Sequence, residues 1–217
     1  MSTVRVPGPR LGAAALVLAG ALFVAYPAVR PWHDETTAAG ALASLGSGAW
    51  VASHLFAILG FVLLPVGLLA LRDAVRDTPA GRIAGVALLA AWVGIGLTLP
   101  YYGAEDFGLH AMARRVAAGE SFDLVAMADE FRFAPVAATT FALGLITLGV
   151  AAVLVAVAVW RSGTLARSGG IAFAVAFGLF VPQFYTPAAV RIGHGVLVAV
   201  GCVWLAATLW RASPTPR

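Results

Sequence analysis

Long uninterrupted runs of apolar residues constrain this chain more than any other feature of its sequence. Of its 217 residues, 61% are hydrophobic and only 11% are charged, whereas a soluble domain carries roughly a quarter of charged residues. Most of the apolar runs are long enough to cross a hydrocarbon core of ~30 Å as a helix. The sequence therefore predicts an all-α fold, a polytopic transmembrane helical bundle, and a single integral membrane domain over residues 1–217.

Six apolar segments are predicted to cross the membrane. The fifth is short for a full span, so we expect it to tilt little or to extend into its flanks. The first is interpreted as an uncleaved span, because its apolar run is long for a signal peptide and no A-x-A cleavage site precedes the polar PWHDE. The predicted spans cover residues 11–29, 50–71, 83–100, 135–160, 169–181 and 192–210.

The long loop after the third span is predicted to form two short interfacial helices. Pro100 and the tyrosines that follow it are interpreted as the end of the third span. Beyond them, Leu109, Met112 and Val116 recur at helical spacing, and a second apolar stripe follows Ser121 as its N-cap. Stripes of this kind are typical of helices that lie in the membrane interface over the mouth of a bundle.

The distribution of charge predicts the topology. The fourteen lysine and arginine positions are all arginine, and there are ten acidic residues. With a cytoplasmic N-terminus, nine of these arginines but only two of the acidic residues fall on the cytoplasmic side. The positive-inside rule then predicts a multi-pass protein of the cell (plasma) membrane with both termini cytoplasmic. Because the arginines flank spans, we expect the lipid bilayer and no nucleic acid as their partner.

All four histidines lie on the predicted outer side of the membrane. His54 and His194 sit about one turn inside the second and sixth spans, so they are expected at similar depth, and His110 follows the third span. His33 belongs to a solvated loop. Imidazoles and a carboxylate such as Glu105 are ligands for zinc, copper or iron. The sequence thus predicts a polar pocket at the extracytoplasmic mouth, with His54, His110 and His194 as candidate ligands of a metal ion or a haem.

The acidic pair at 105–106 supplies the candidate catalytic residue. If a helix begins near Ala104, Glu105 aligns with Leu109 on the stripe that faces the bundle, whereas Asp106 aligns with His110. Glu105 is therefore predicted to face inward. Asp106 is predicted to face water or to orient His110.

The sequence is compatible with three functions. The first is the metal or haem site. The second is a membrane-embedded acid–base enzyme that uses Glu105, with His54 or His194, on a lipid or isoprenoid substrate. The third is a non-enzymatic subunit or scaffold, whose small-residue ridge at Gly170 and Gly178 docks a membrane-protein partner. No catalytic motif decides whether the chain is an enzyme. An apolar small molecule bound in the pocket is a further candidate partner.

Three stretches carry a resemblance to other proteins: WVASHL, LTLPYYGAEDFGLHA and RIGHGVLVAVGCVWLA. With them, the chain resembles a group of small, six-span, uncharacterised integral membrane proteins from actinobacteria. The likeness covers most of the chain, from Trp50 to Ala206. It implies a membrane location, and it implies neither an activity nor a site.

Overall fold

A computed structural model describes residues 8–212 of the chain. Every regular element in these residues is helical, so the predicted all-α membrane bundle is confirmed. The α-helices are α1 (Pro9–Val29), α2 (Ala38–Leu45), α3 (Gly48–Ala74), α4 (Gly81–Gly103), α5 (Leu109–Ala117), α6 (Leu124–Phe133), α7 (Pro135–Arg161), α8 (Ile171–Gly178) and α9 (Ala188–Arg211). A π-helical turn at Ala104–Gly108 joins α4 to α5, and short 3₁₀ turns at Arg167–Gly170 and Pro182–Tyr185 flank α8.

Five helices in the described chain are long and apolar enough to span a membrane. They are α1, α3, α7, α9 and the continuous helical segment Gly81–Ala117. The last is longer than the predicted third span, and its helix does not end at Pro100. A proline removes one backbone hydrogen bond, and neighbouring helices in a bundle compensate for that loss. The first predicted interfacial helix is therefore the continuation of α4, and only α6 is a separate short helix; its N-cap is Asp123 instead of Ser121.

The predicted fifth span is not one continuous helix. It consists of the eight-residue α8 between two 3₁₀ turns, and eight residues rise only about 12 Å. The segment nevertheless runs antiparallel to α9, since Gly169 lies beside Thr208 and Phe173 lies beside Gly201. Pro182 lacks an N–H group and cannot extend α8 through hydrogen bonding. The segment predicted as the fifth span is thus a broken helix, and it is not among the five helices of the described chain that are long and apolar enough to span a membrane.

Glycines set the closest helix contacts, as is common in membrane bundles. Gly94 of α4 and Gly144 of α7 face each other so closely that each lies against the other's backbone. The ridge predicted as a docking surface is different: Gly170 packs inside the bundle against Ala156, and only Gly178 has open space beside it. Gly170 therefore contributes to packing inside the bundle and is not part of an exposed docking surface.

Substitution of Gly94 by alanine is expected to lower stability. A Cβ at Gly94 would lie 2.8 Å from the Gly144 carbonyl oxygen and 2.8 Å from the Leu148 nitrogen, and both are backbone atoms that must move. We expect Gly94→Ala to reduce the free energy of unfolding by about 1–3 kcal/mol, measured by reversible unfolding in mixed detergent micelles. Gly96→Ala, on the same helix with nothing within 4 Å of its Cβ, is the control. Equal stability of the two variants would contradict the close α4–α7 contact.

Candidate functional site

A chain of ion pairs lies at the end of the bundle where α1 ends and α3 begins. The Arg30 Nη2 is 2.6 Å from Glu35 Oε1, and Glu35 Oε2 is 2.8 Å from Arg132 Nη2. Arg132 also donates to both oxygens of Glu105, through Nε at 2.7 Å and Nη2 at 3.1 Å. The four side chains are only 10 to 18% exposed. Positive and negative groups alternate along this series of ion pairs, so the four side chains together carry no net charge.

The ion pairs join segments that are distant in sequence. Arg30 is the C-cap of α1, Glu35 lies in the following loop, Glu105 lies in the π turn, and Arg132 is in the last turn of α6. Burial lowers the pKa of the Arg132 guanidinium, but its hydrogen bonds and attraction to Glu105, and then to Glu35, outweigh burial and raise that pKa. Arg132 thus stays charged, and it fixes α6 over the mouth of the bundle.

The π turn decides which way the two acidic residues point. The Leu109 N–H bonds to the Ala104 carbonyl, five residues back instead of four. This extra residue in the turn breaks the i, i+4 alignment on which the sequence interpretation relied. Glu105 faces inward as predicted, but Asp106 is also fully buried, and neither of its carboxylate oxygens has a hydrogen-bond partner. The prediction that Asp106 faces water was therefore wrong.

An aromatic side chain holds the π turn against α3. The Trp50 Nε1 donates to the Glu105 carbonyl oxygen at 2.9 Å, and the Arg30 guanidinium stacks 4.9 Å from the centre of the Trp50 ring. The first turn of α3 is itself fixed by Ser47, whose hydroxyl accepts from the Trp50 N–H. Backbone and side chain of Glu105 are therefore both held in place.

The ion-pair chain forms one wall of a cavity of about 500 Å³. The cavity is also lined by His54, by Arg191, and by apolar side chains. Two rim residues, Phe133 and Tyr185, are 73% and 88% exposed, so the cavity opens to the surroundings of the bundle between α6 and the turn after α8. The remaining lining side chains are Tyr26, Tyr101, Tyr102, Ala138, Phe141, Ala142 and Phe184.

The three histidines predicted as metal ligands lie in three different environments. His54 lines the cavity, and its Nδ1 is 2.9 Å from the Trp50 carbonyl oxygen. The His110 Nδ1 is 2.7 Å from the carbonyl oxygen of Leu45 on α2, and the His194 Nε2 is 2.8 Å from that of Ala176 on α8. Each bond engages one ring nitrogen and orients the ring, and the three rings bond to carbonyl groups on three different helices.

Among residues 8–212, no group of three or more His, Cys, Asp or Glu side chains is placed to hold a metal ion. Only His54 and Glu105, of the predicted site residues, line the same cavity. His33 is an exposed loop residue, as expected. The structure therefore gives no support to a metal or haem centre built from His54, His110 and His194.

Sequence reasoning missed the residues that form most of the polar wall. Arg30, Glu35 and Arg132 were assigned to loops and surface helices, although isolated arginines on the arginine-poor outer side were an available signal. Trp32 was missed as well, and the guanidinium groups of Arg30 and Arg191 lie 4.5 and 4.9 Å from the centre of its ring. The cavity is thus an arginine–glutamate–aromatic site more than a histidine site.

The Glu105–Arg132 pair is expected to be strongly coupled. A double-mutant cycle with Glu105→Gln, Arg132→Gln and the double variant should give a coupling energy of about 1–3 kcal/mol, because the bonds are bidentate and poorly exposed. Unfolding in mixed micelles provides the measurement. The exposed pair Arg115–Glu120 is the control and should show little or no coupling. Equal coupling in both pairs would contradict the structural role of Arg132.

Comparison with known proteins adds no relative to this description. The chain matches no protein-family model, no curated protein and no solved structure. The fold and the geometry of the cavity are therefore the basis on which a function is assigned.

Proposed function

We propose that this protein is a membrane-embedded binding protein whose cavity holds one amphiphilic small molecule at the extracytoplasmic end of the bundle. One observation carries the proposal: a single open cavity of about 500 Å³ is lined both by charged side chains and by apolar ones. Ligand sites typically have volumes of ~300–1,000 Å³, with mostly apolar linings and a few placed polar groups. The polar end of the molecule lies at Arg30, Arg132 and Arg191, and its apolar tail lies against α7.

The side of the membrane follows from charge. The arginine distribution favours a cytoplasmic N-terminus, and α1 then runs outward to Arg30 at the cavity. Glu35 and Arg132, which belong to segments on the same side, meet Arg30 there. The cavity accordingly lies at the outer interface, where aromatic side chains such as Tyr185 are common. A ligand enters laterally from the outer leaflet, past Phe133 and Tyr185.

The apolar wall is suited to a hydrocarbon tail. Ala138 and Ala142 are small residues on one face of α7 and leave room beside the rings of Phe141 and Phe184. The cavity does not continue through the bundle centre, because Tyr102 packs on Phe61 with ring centres 5.5 Å apart. The cavity is thus open at its rim, and aromatic side chains bound it towards the centre of the bundle.

Glu105 contributes to this pocket as part of its wall. Both of its oxygens accept from Arg132, which is the geometry of an ionised carboxylate. A general acid would need a proton at one of those oxygens. The geometry therefore favours binding over general-acid catalysis by Glu105.

The proposal predicts that filling the cavity abolishes ligand binding. A photoreactive sixteen-carbon alcohol in lipid nanodiscs should label residues of the cavity wall, as mapped by mass spectrometry. Ala142→Trp places an indole in the cavity and should remove this labelling, while Val150→Trp places an indole on an exposed face of the same helix and should not.

Two results would contradict this function. One is labelling spread evenly over the lipid-facing surface, with no enrichment at the cavity. The other is unchanged cavity labelling in a folded Ala142→Trp variant, since the probe would then not require the cavity.

A further inference from the structure

We infer that the cavity selects amphiphiles with an anionic polar end, and that Arg191 is the residue that recognises the anion. This inference rests on the proposed function and adds the charge of the ligand to it. Its chemical class is an alkyl chain that ends in a carboxylate, sulfonate or phosphate-like group. The charges in the cavity, the hydrogen bonds of Arg191 and the position of Arg191 on α9 support this inference.

The first step is the charge balance of the cavity. Arg30, Glu35, Arg132 and Glu105 pair in alternation and together carry no net charge. Arg191 lines the same cavity and forms no ion pair with any of residues 8–212. Three guanidinium groups thus face two carboxylates. His54, the other basic group in the lining, adds no negative charge, so the cavity has a positive charge in excess.

The second step is the geometry of Arg191. Its Nε donates to the Gln183 Oε1 at 3.2 Å, and within the described chain its terminal Nη groups have no hydrogen-bond acceptor. The guanidinium plane is held between rings, 4.9 Å from the centre of Trp32 and 5.1 Å from that of Phe184. Gln183 is itself buried. Arg191 is therefore oriented in advance, and its two terminal nitrogens are available for the bidentate contact that arginine makes with oxyanions.

The third step is the position of Arg191 on its helix. It is the fourth residue of α9, whose first turn contains no acidic residue. The N-terminal end of a helix carries a partial positive charge that favours anions, so a cation near it is unfavourable without a counter-charge. An anion at Arg191 supplies that counter-charge. Because the surroundings are poorly solvated, the attraction is stronger than it would be in water.

Three photoreactive probes with identical sixteen-carbon tails test the inference: an alkyl sulfonate, an alcohol and an alkyl trimethylammonium. The sulfonate is ionised at all working pH values, so its charge is not in question. In wild-type protein we expect cavity labelling to saturate at about tenfold lower concentration for the sulfonate than for the alcohol. The trimethylammonium probe should label more weakly than the alcohol.

Variants assign the selectivity to Arg191. Arg191→Gln should weaken sulfonate labelling about tenfold, so that the sulfonate no longer labels the cavity better than the alcohol does. Arg191→Lys keeps the charge and loses the planar fork, so its preference for the sulfonate should be intermediate; it also serves if Arg191→Gln does not fold. Arg114→Gln, at an exposed arginine outside the cavity, should behave as wild type.

The outcomes separate the two claims. Equal labelling of the cavity by all three probes in wild type would overturn the anion preference and leave the proposed function intact. Undiminished sulfonate preference in Arg191→Gln would overturn the role of Arg191. Labelling of the cavity by none of the probes would overturn the proposed function itself. Butanesulfonate, which has the anion without the long tail, should not displace the sulfonate probe. Full displacement would indicate a site for free anions and would contradict the proposal that the ligand is an amphiphile.

Discussion

Arg132 bonds to two carboxylates at once, and the arrangement of this end of the bundle depends on that contact. Its Nε and Nη2 reach Glu105 in the π turn, and Nη2 also reaches Glu35 in the loop after α1. Without Arg132, Glu105 would be a poorly exposed carboxylate with no cation, and Glu35 would keep only Arg30. Removing one partner of such a pair is far more costly than replacing both by apolar groups. Arg132 therefore adds an ionic link between three segments, beside the apolar packing of α6 against Trp50 and Leu109.

Buried charged groups seldom stabilise a fold more than apolar packing would. The presence of these ion pairs is therefore best explained by the cavity that they line. The ion pairs hold one wall of the cavity in place, and apolar side chains of α7 line the same cavity. The neutral pairing of four charges leaves Arg191 as the cation that is free to bind a ligand, oriented by Trp32 and Phe184. Binding and anion selectivity thus follow from separate parts of the same cavity, one apolar and one charged.

The sequence predicted the helical bundle well because hydropathy reports burial in lipid directly. It predicted the inward direction of Glu105, but not which residues lie beside it, because hydropathy contains no information on the lateral order of helices. Arg132, twenty-seven residues after Glu105, could not be identified as its partner for this reason. The π turn at Ala104–Gly108 also had no periodic signature, so Asp106 was placed on the wrong side.

The central claim is that the cavity holds one amphiphile per protein molecule. Native mass spectrometry of the protein released from nanodiscs measures this stoichiometry directly, because loosely bound bulk lipid is stripped at collision energies that retain an enclosed ligand. The account predicts a single retained mass increment of an amphiphile per chain. Complete loss of all bound lipid together, or a broad distribution of several equally retained molecules, would contradict it.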